Sequence, residues 1–250
     1  MGDLLKGKRA VITGCNRGIG KSILENFAAN GADIITITRT ESEEFSEICH
    51  GLEKTYGVHI RQVYADFDRE DEVRAAAKSI LEEKKTIDIL VNNVGISNPL
   101  VMFTMTSMEK MREMFEVSFF SSILLTQLLC RRMMKAHSGN IIFITSSAAF
   151  EAGFNLEYTS AKAAVVGAVR RLARELGHFG IRVNGVAPGL TNTDMGNALK
   201  ENEEAIALSM SILGRKAEPE EIADVVLFLA SDLSRFMTAQ ILRVDGGMLG

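Results

Sequence analysis

A tyrosine and a lysine stand four residues apart in an alanine-rich stretch, at Tyr158 and Lys162. On a helix, side chains at that spacing project from one face. A tyrosine normally loses its proton near about pH 10, and a nearby ammonium group favours the phenolate and lowers that pKa. The pair therefore predicts a tyrosine that exchanges a proton with a substrate oxygen near neutral pH. A surface pair without chemistry is the alternative that spacing alone leaves open.

A second segment suited to chemistry is the glycine-rich run from Thr13 to Gly20, which follows an apolar run and opens a helical one. Glycines permit a tight turn and a close backbone approach to a phosphate. The helix N-terminus then offers free N–H groups and a partial positive charge. We expect a nucleotide phosphate to bind here, although a glycine-rich turn without a ligand is the simpler alternative.

Alternating strand-like and helix-like runs must position these residues. The alternation predicts a Rossmann-type doubly wound parallel α/β sheet of about seven strands with helices on both faces. We expect a single domain over residues 1–250. The predicted strands are Arg9 to Thr13, Ile34 to Thr38, His59 to Ala65, Ile87 to Val91, Asn140 to Thr145, Ile181 to Ala187 and Ile241 to Val244. The predicted helices are Gly18 to Asn30, Ser42 to Tyr56, Glu70 to Glu83, Met108 to Lys135, Tyr158 to Gly177 and Pro219 to Ala230.

One segment, residues 190–217, departs from this alternation because it is long, follows a strand and is rich in Met, Asn and Glu. Long segments inside a compact domain are usually lids or binding loops. We expect a substrate lid here, with an ordinary pair of surface helices as the alternative.

Composition excludes several function classes. The net charge of -4 gives no basic surface for nucleic acid. Three cysteines without metal or disulfide spacing indicate a reducing, cytoplasmic location and no metal. The most hydrophobic stretch runs from Phe119 to Cys130, and it is too short and contains too many polar residues to predict a membrane span.

The glycine spacing G-x-x-x-G-x-G resembles that of the short-chain dehydrogenase/reductase family. Further segments resemble this family in the same order along the chain. They are Asn92-Asn93-Val94-Gly95, Tyr158-Thr159-Ser160-Ala161-Lys162, Pro188-Gly189 with Thr193, and Val244-Asp245-Gly246-Gly247. The resemblance implies a nicotinamide-dependent oxidoreductase that acts on a carbonyl or an alcohol.

The end of the second strand bears on the choice of nicotinamide. In dinucleotide-binding folds an acidic residue there binds the ribose hydroxyls and repels a 2′-phosphate. Here the position is Thr38, followed by Arg39, and no acidic residue occurs until Glu41. Guanidinium groups suit phosphate, so Arg39 and Arg17 predict NADP(H) in preference to NAD(H). An Arg39 that is merely solvated is the alternative.

The resemblance also assigns other cofactor contacts. Asp66 would bind the adenine amino group, Asn92 would lie beside the adenosine ribose, and Lys162 would hold the nicotinamide ribose. The full expected cofactor set is Gly14, Asn16, Arg17, Gly18, Ile19, Gly20, Arg39, Asp66, Phe67, Asn92, Gly95, Tyr158, Lys162, Pro188, Gly189 and Thr193.

Two serines complete the expected catalytic group of Ser146, Ser118, Tyr158 and Lys162. Ser146 ends the fifth strand and would orient the carbonyl oxygen, with the adjacent Ser147 as an alternative participant. Ser118 stands where the family usually has an asparagine that holds a proton-relaying water. A serine hydroxyl can also hold a water, but it is shorter, so a weaker relay is expected.

The chain is most similar to bacterial 3-oxoacyl-[acyl-carrier-protein] reductases, which implies an acyl-thioester or other small-molecule substrate. Those enzymes grip the carrier protein with two arginines, whose positions here hold His137 and Phe179. This weakens the expectation that an acyl carrier protein docks, but Arg131, Arg132 and Lys135 lie near the first position and are the alternative contacts that leave docking open. The alternatives are an alcohol, sugar or steroid dehydrogenase, a general carbonyl reductase, and a low-turnover NADP(H)-binding regulatory or scaffold subunit.

The resemblance further implies a homotetramer. The helices from Met108 to Lys135 and from Tyr158 to Gly177 would form a dimer interface, and two dimers would assemble with D2 symmetry. Packing of these helices within one subunit is the alternative.

Overall fold

The computed structural model describes residues 2–151 and 154–248. Its centre is a seven-stranded sheet of order β3-β2-β1-β4-β5-β6-β7, in which every neighbouring pair is parallel. The strands are β1 (Arg9–Thr13), β2 (Asp33–Thr38), β3 (Ile60–Tyr64), β4 (Ile89–Asn92), β5 (Gly139–Ile144), β6 (Ile181–Pro188) and β7 (Ile241–Val244). The predicted doubly wound sheet of seven strands is confirmed.

Helices cover both faces of the sheet. They are α1 (Gly18–Ala29), α2 (Glu43–Tyr56), α3 (Glu70–Glu82), α4 (Met108–Phe115), α5 (Ser121–Ala136), α6 (Leu156–Leu176), α7 (Asp194–Asn197), α8 (Glu201–Ser209) and α9 (Pro219–Ala230). Strand side chains alternate between the faces. Val11 packs in the cluster that contains α3, α5 and α6, whereas Ile12 packs with α1 and α9. This alternation explains why the central strands are apolar throughout.

The chain reverses its direction of winding between β1 and β4, which are neighbours in the sheet. Ligands of open α/β sheets bind at the carboxyl ends of the strands beside such a switch point. The phosphate loop after β1 and the segment after β4 therefore meet at one edge.

The predicted single helix from Met108 to Lys135 is wrong in one respect. A π-helical turn, Glu116–Phe120, separates α4 from α5. The apolar pattern is similar across α and π turns, because a π turn inserts only one extra residue into the helix. Ser118 lies within this turn, so the irregularity falls on a residue of the expected catalytic group.

The same helical stretch, Met108–Ala136, is long and apolar enough to cross a membrane, judged by length and composition only. Its most apolar part has a mean hydropathy of 1.3, and half of that part is buried inside the protein. It is longer than the apolar stretch of residues 119–130 on which the sequence-based expectation rested. Long core helices of globular folds have the same length and composition.

The segment of residues 190–217 forms the short helices α7 and α8. Thr193 caps α7 by accepting a hydrogen bond from the Gly196 N–H at 3.2 Å. Thr191 and Ala217 pair through an isolated bridge, so the two ends of the segment meet. The two short helices therefore form an insertion after β6 whose two ends lie next to each other.

Candidate active site

A cavity of ≈ 620 Å³ opens at the carboxyl edge of the sheet. Ser146, Tyr158 and Lys162 line it together with the phosphate loop. Of the expected cofactor residues, the cavity is lined by Gly14, Asn16, Arg17, Gly18, Ile19, Gly20, Arg39, Asp66, Phe67, Gly95, Tyr158, Lys162, Pro188, Gly189 and Thr193. Asn92, from the expected cofactor residues, and Ser118, from the expected catalytic group, do not line the cavity.

Backbone geometry shapes the phosphate loop. Gly14 and Gly18 have φ of 66° and 52°, in the left-handed region that favours glycine. A Cβ at Gly20 would lie 2.1 Å from the Gly14 carbonyl oxygen, so no side chain fits there. Arg17, at the N-cap of α1, makes no side-chain cap hydrogen bond. The first N–H groups of α1 therefore face a glycine cradle that fits a nucleotide phosphate.

Asn92 does not line the cavity, and its expected place beside the adenosine ribose stays a prediction. Asn92 is 2% exposed, and its Nδ2 donates to Thr126 Oγ1 at 2.9 Å on the α5 side. Its neighbour Asn93 lines the cavity and donates to the Thr13 and Gly14 carbonyl oxygens at 3.0 and 2.9 Å. Adjacent residues of an extended segment point to opposite sides, so the second asparagine holds the phosphate loop.

Both arginines expected near a 2′-phosphate line the cavity, and each lies near a carboxylate. Arg39 Nε is 3.9 Å from Asp66 Oδ1, and Arg17 Nη1 is 3.0 Å from Asp194 Oδ2. The second pair joins the phosphate loop to α7. These pairs are largely exposed, so they contribute little stability and can exchange a carboxylate for a phosphate.

Tyr158 lies in the first turn of α6 and is 9% exposed. Burial raises its pKa above the usual value, and a hydrogen bond with Ser146 opposes that rise. The pKa of Tyr158 is therefore raised where the sequence predicted that it is lowered, and burial is the main cause. The contact with Ser146 favours Ser146 over Ser147 as the tyrosine's partner.

Lys162 is 4% exposed, and its Nζ donates to the Ile144 carbonyl oxygen at 3.0 Å. The same nitrogen lies 5.8 Å from the centroid of the Tyr158 ring. Desolvation lowers the pKa of Lys162 to about 8. The lysine is therefore poised to hold or release a proton beside the tyrosine near neutral pH.

Ser118 is buried behind Gly95 rather than on the cavity wall. Its Oγ accepts a hydrogen bond from the Ile96 N–H at 3.3 Å and donates to Met114 Sδ at 3.6 Å. A Cβ at Gly95 would lie 3.0 Å from Lys162 Nζ and 3.7 Å from Ser118 Oγ. Gly95 thus separates the serine from the lysine, and Ser118 holds the backbone after β4.

The amino-acid sequence is similar to those of known proteins over nearly its whole length. The family model described as enoyl-(acyl carrier protein) reductase matches residues 14–249. The 3-oxoacyl-[acyl-carrier-protein] reductase of Chlamydia trachomatis is 37% identical over 249 residues, covering 99% of this chain and 100% of the relative. That of Aquifex aeolicus is 35% identical over 245 residues, covering 98% of each. The chain belongs to the short-chain dehydrogenase/reductase family.

Solved structures of family members superpose over nearly the whole chain. A putative NAD(P)-dependent gluconate 5-dehydrogenase from Beutenbergia cavernae with bound NADP has a TM-score of 0.91 and 32% identity, covering 99% of this chain and 98% of that one. The L-sorbose reductase of Gluconobacter frateurii, complexed with NADPH and L-sorbose, has a TM-score of 0.88 and 29% identity, covering 100% and 99%. This short-chain dehydrogenase/reductase is an oxidoreductase of CH–OH or C=O groups that uses a nicotinamide cofactor.

The other end of the cavity in this short-chain dehydrogenase/reductase is mostly apolar. Its walls come from the segment after β4, from the loop before α6, and from α7 and α8 with the residues that flank them. The apolar residues are Ile96, Leu100, Phe154, Met195, Leu199, Ile206 and Met210. The sequence predicted a methionine-rich lid here, but it did not point to Leu100 or Phe154, which lie in loops that have no hydrophobic periodicity.

Glu151 is a further lining residue that sequence reasoning missed. It is 9% exposed, and its Oε1 lies 2.7 Å from Nη1 of Arg243 on β7. The two residues are far apart in sequence and fit no spacing pattern. The only sign of Glu151 in the sequence is that an acidic residue follows the predicted catalytic Ser146 by five positions.

Proposed function

We propose that the chain reduces the 3-oxo group of an acyl thioester with NADPH. The observation that carries this is the convergence of Ser146, Tyr158 and Lys162 on a cavity with a phosphate cradle at one end and apolar walls at the other. Full-length similarity to 3-oxoacyl-[acyl-carrier-protein] reductases supports the substrate class.

Ser146, Tyr158 and Lys162 have different tasks in the reduction of the carbonyl group. A bound reduced nicotinamide supplies the hydride. Ser146 donates a hydrogen bond to the carbonyl oxygen and stabilises the charge that develops there. Tyr158, kept protonated by its raised pKa, gives the oxygen its proton. Lys162 then returns a proton towards the tyrosine, since its own pKa of about 8 is near the working pH.

Preference for NADP(H) over NAD(H) rests on the rim beside the phosphate loop. Thr38 ends β2, and the guanidinium groups of Arg39 and Arg17 line the cavity next to it. A 2′-phosphate would replace Asp66 or Asp194 as the partner of a guanidinium, gaining two negative charges in place of one. The NADP-containing and NADPH-containing neighbours support this choice.

Recognition of a carrier protein is a separate question. His137, at the C-terminus of α5, and Phe179 lie side by side, with ring centroids 6.0 Å apart. An aromatic pair cannot grip acidic side chains as arginines do. We therefore propose that the thioester itself is the recognised group, with carrier-protein docking weaker than in enzymes that have arginines there.

A second candidate is a polyol or sugar dehydrogenase. The structural likeness to the L-sorbose reductase and the gluconate 5-dehydrogenase favours it, because both cover almost the whole chain. The catalytic group would run in either direction, since Tyr158 that gives a proton to an oxygen can also remove one from an alcohol.

We also propose a single domain with residues 190–217 as a substrate lid, and a homotetramer built on α5 and α6. Phe120, in the π turn that leads into α5, is 53% exposed, and the space beside Gly167 on α6 is open, which leaves both places available to a partner. Sedimentation of a monomer at micromolar concentration would overturn the tetramer. The free, buried cysteines support a cytoplasmic location.

The test is cofactor oxidation by the purified protein with acetoacetyl thioesters of coenzyme A and of acyl carrier protein, beside simple ketones, sugars and a quinone. We expect NADPH-specific reduction of both thioesters. Turnover of sugars alone would favour the second candidate. NADPH binding without any turnover would indicate a regulatory or scaffold subunit.

The cofactor preference is tested with Arg39→Ala, and Arg74→Ala serves as an exposed control far from the cavity. We expect the KM for NADPH to rise about tenfold in Arg39→Ala, since a charge-assisted hydrogen bond is lost, while the KM for NADH stays unchanged. Equal use of NADH and NADPH by the unmodified protein would refute the preference.

A further inference from the structure

We propose that Glu151 determines substrate specificity by rejecting carbonyl compounds that carry an anionic group beside the reacting carbonyl and by accepting hydrogen bonds from neutral ones. This rests on the proposed carbonyl reduction, whose substrate class it narrows. It assigns a role to a charged side chain that the reaction itself does not use.

The position of Glu151 places it close to the chemistry. Ser146 is followed by a 3₁₀ turn, Ser147–Ala149, and the Glu151 N–H donates to the Ser147 carbonyl oxygen at 3.1 Å. Glu151 therefore lies one turn beyond the serine that contacts the tyrosine. Its side chain lines the cavity and is 9% exposed, so a substrate would meet a carboxylate that is poorly screened by water.

Arg243 fixes the Glu151 carboxylate without neutralising its surroundings. The guanidinium lies 2.7 Å from Glu151 Oε1 and 2.6 Å from Asp245 Oδ2, and it donates to the Met248 carbonyl oxygen at 2.9 Å. One positive charge is thus shared between two carboxylates. The group of Glu151, Arg243 and Asp245 therefore has one more formal negative charge than positive charge.

Other charges on the wall do not offset this. Within residues 2–151 and 154–248, the basic side chains that line the cavity are Arg17, Arg39 and Lys162. The two arginines belong to the phosphate-loop end. Lys162 is 4% exposed and donates to a backbone carbonyl. A substrate carboxylate placed near Glu151 would therefore face repulsion without a free cation to receive it.

A purely structural role for the Glu151–Arg243 pair is the competing explanation, because the pair joins the loop after β5 to the C-terminal segment. A structural role would change the turnover of all substrates alike. A specificity role changes the ratio between a neutral substrate and its anionic counterpart.

The experiment compares kcat/KM with NADPH for ethyl acetoacetate and for acetoacetate, which share the 3-oxo group and differ in the ester or carboxylate beside it. We expect the unmodified protein to prefer the ester. In Glu151→Gln, whose amide oxygen can still accept from Arg243, we expect that preference to fall about tenfold. Glu47→Gln, which removes one exposed charge on α2 far from the cavity, should leave the ratio unchanged.

Arg243→Gln gives the opposite sign, since it removes the cation that partly neutralises Glu151. The preference for the ester should rise about threefold or more. A ratio that stays within twofold in Glu151→Gln, or that moves in the same direction in both variants, would overturn the proposal.

Failure of the reaction can be separated from failure of the specificity. Dissociation constants of the two compounds are measured on NADPH-loaded Tyr158→Phe, with and without Glu151→Gln, where no turnover is needed. Weaker binding of acetoacetate that Glu151→Gln relieves supports the specificity role even if no carbonyl is reduced. Equal binding of both compounds in both proteins contradicts it.

Discussion

The phosphate-loop end of the cavity is built from backbone, whereas the substrate end is built from side chains. At the first, Gly14 and Gly18 adopt the left-handed φ that favours glycine, and a Cβ at Gly20 would meet the Gly14 carbonyl oxygen. At the second, residues such as Met195 and Ile206 reach in from short helices. A backbone surface is fixed by φ, ψ and strand register, while a side-chain surface can repack. The two ends should therefore differ sharply in how much change they tolerate.

The catalytic group lies between the two ends, and its loss should have the largest effect. Tyr158→Phe removes the proton donor but keeps the ring that packs 5.0 Å from Phe154. We expect kcat to fall about 10³-fold, with NADPH binding retained, as measured by cofactor oxidation and by fluorescence titration. Tyr56→Phe, at the partly buried end of α2 and outside the cavity lining, is the control. Retention of more than a tenth of the activity by Tyr158→Phe would remove the tyrosine from the mechanism.

The next effect tests the rigidity of the backbone end. In Gly20→Ala, the new Cβ would meet the Gly14 carbonyl 2.1 Å away, so the loop must move. We expect the free energy of unfolding to drop by about 2 kcal/mol and NADPH affinity to be lost. The matched control is Gly51→Ala on exposed α2, where a Cβ meets nothing within 4 Å; it should stabilise the protein by about 0.5 kcal/mol.

Urea unfolding measures both glycine variants. If Gly20→Ala were as stable as Gly51→Ala and bound NADPH normally, the phosphate-loop end would be as adaptable as the substrate end, and the contrast between them would fail.

Lys162 gives a smaller, pH-dependent effect. Its folded pKa of about 8 lies below its unfolded value, so between those values the unfolded chain binds a proton that the folded protein does not. Stability of the cofactor-free protein should therefore rise with pH above about 8, by on the order of 2 kcal/mol by pH 10. Below pH 8 this residue carries its full desolvation cost.

Lys162→Met should remove that rise, and Lys135→Met, near the exposed end of α5, should keep it. Denaturant midpoints at pH 7, 8, 9 and 10 test this. Parallel pH profiles for the unmodified protein and Lys162→Met would mean that the lysine is solvated, not buried, in the cofactor-free state.

The same contrast explains what sequence reasoning could reach. Strand-helix alternation and glycine spacing report on backbone, and they led to the seven strands and the phosphate cradle. The sequence did not show which of the two adjacent asparagines, Asn92 or Asn93, turns its side chain towards the phosphate loop, because strand register decides the side of an extended segment. The π turn at Glu116–Phe120 could not be predicted, because it does not change the spacing of apolar residues along the helix in a recognisable way. The pair of Glu151 and Arg243 depends on a tertiary contact between β7 and a loop, which no local pattern encodes.

The smallest effect is expected where side chains alone form the wall. Ile206 lines the cavity from α8 but is 62% exposed, so Ile206→Ala leaves no enclosed void. The free energy of unfolding should change by less than about 0.5 kcal/mol, and the KM for an acyl thioester should rise a few-fold because apolar contact with the chain is lost. Ile222→Ala in buried α9 is the contrast, with a loss of about 3 kcal/mol. A comparable loss of stability in Ile206→Ala would show that α8 is part of the core, and the lid would then be as rigid as the phosphate loop.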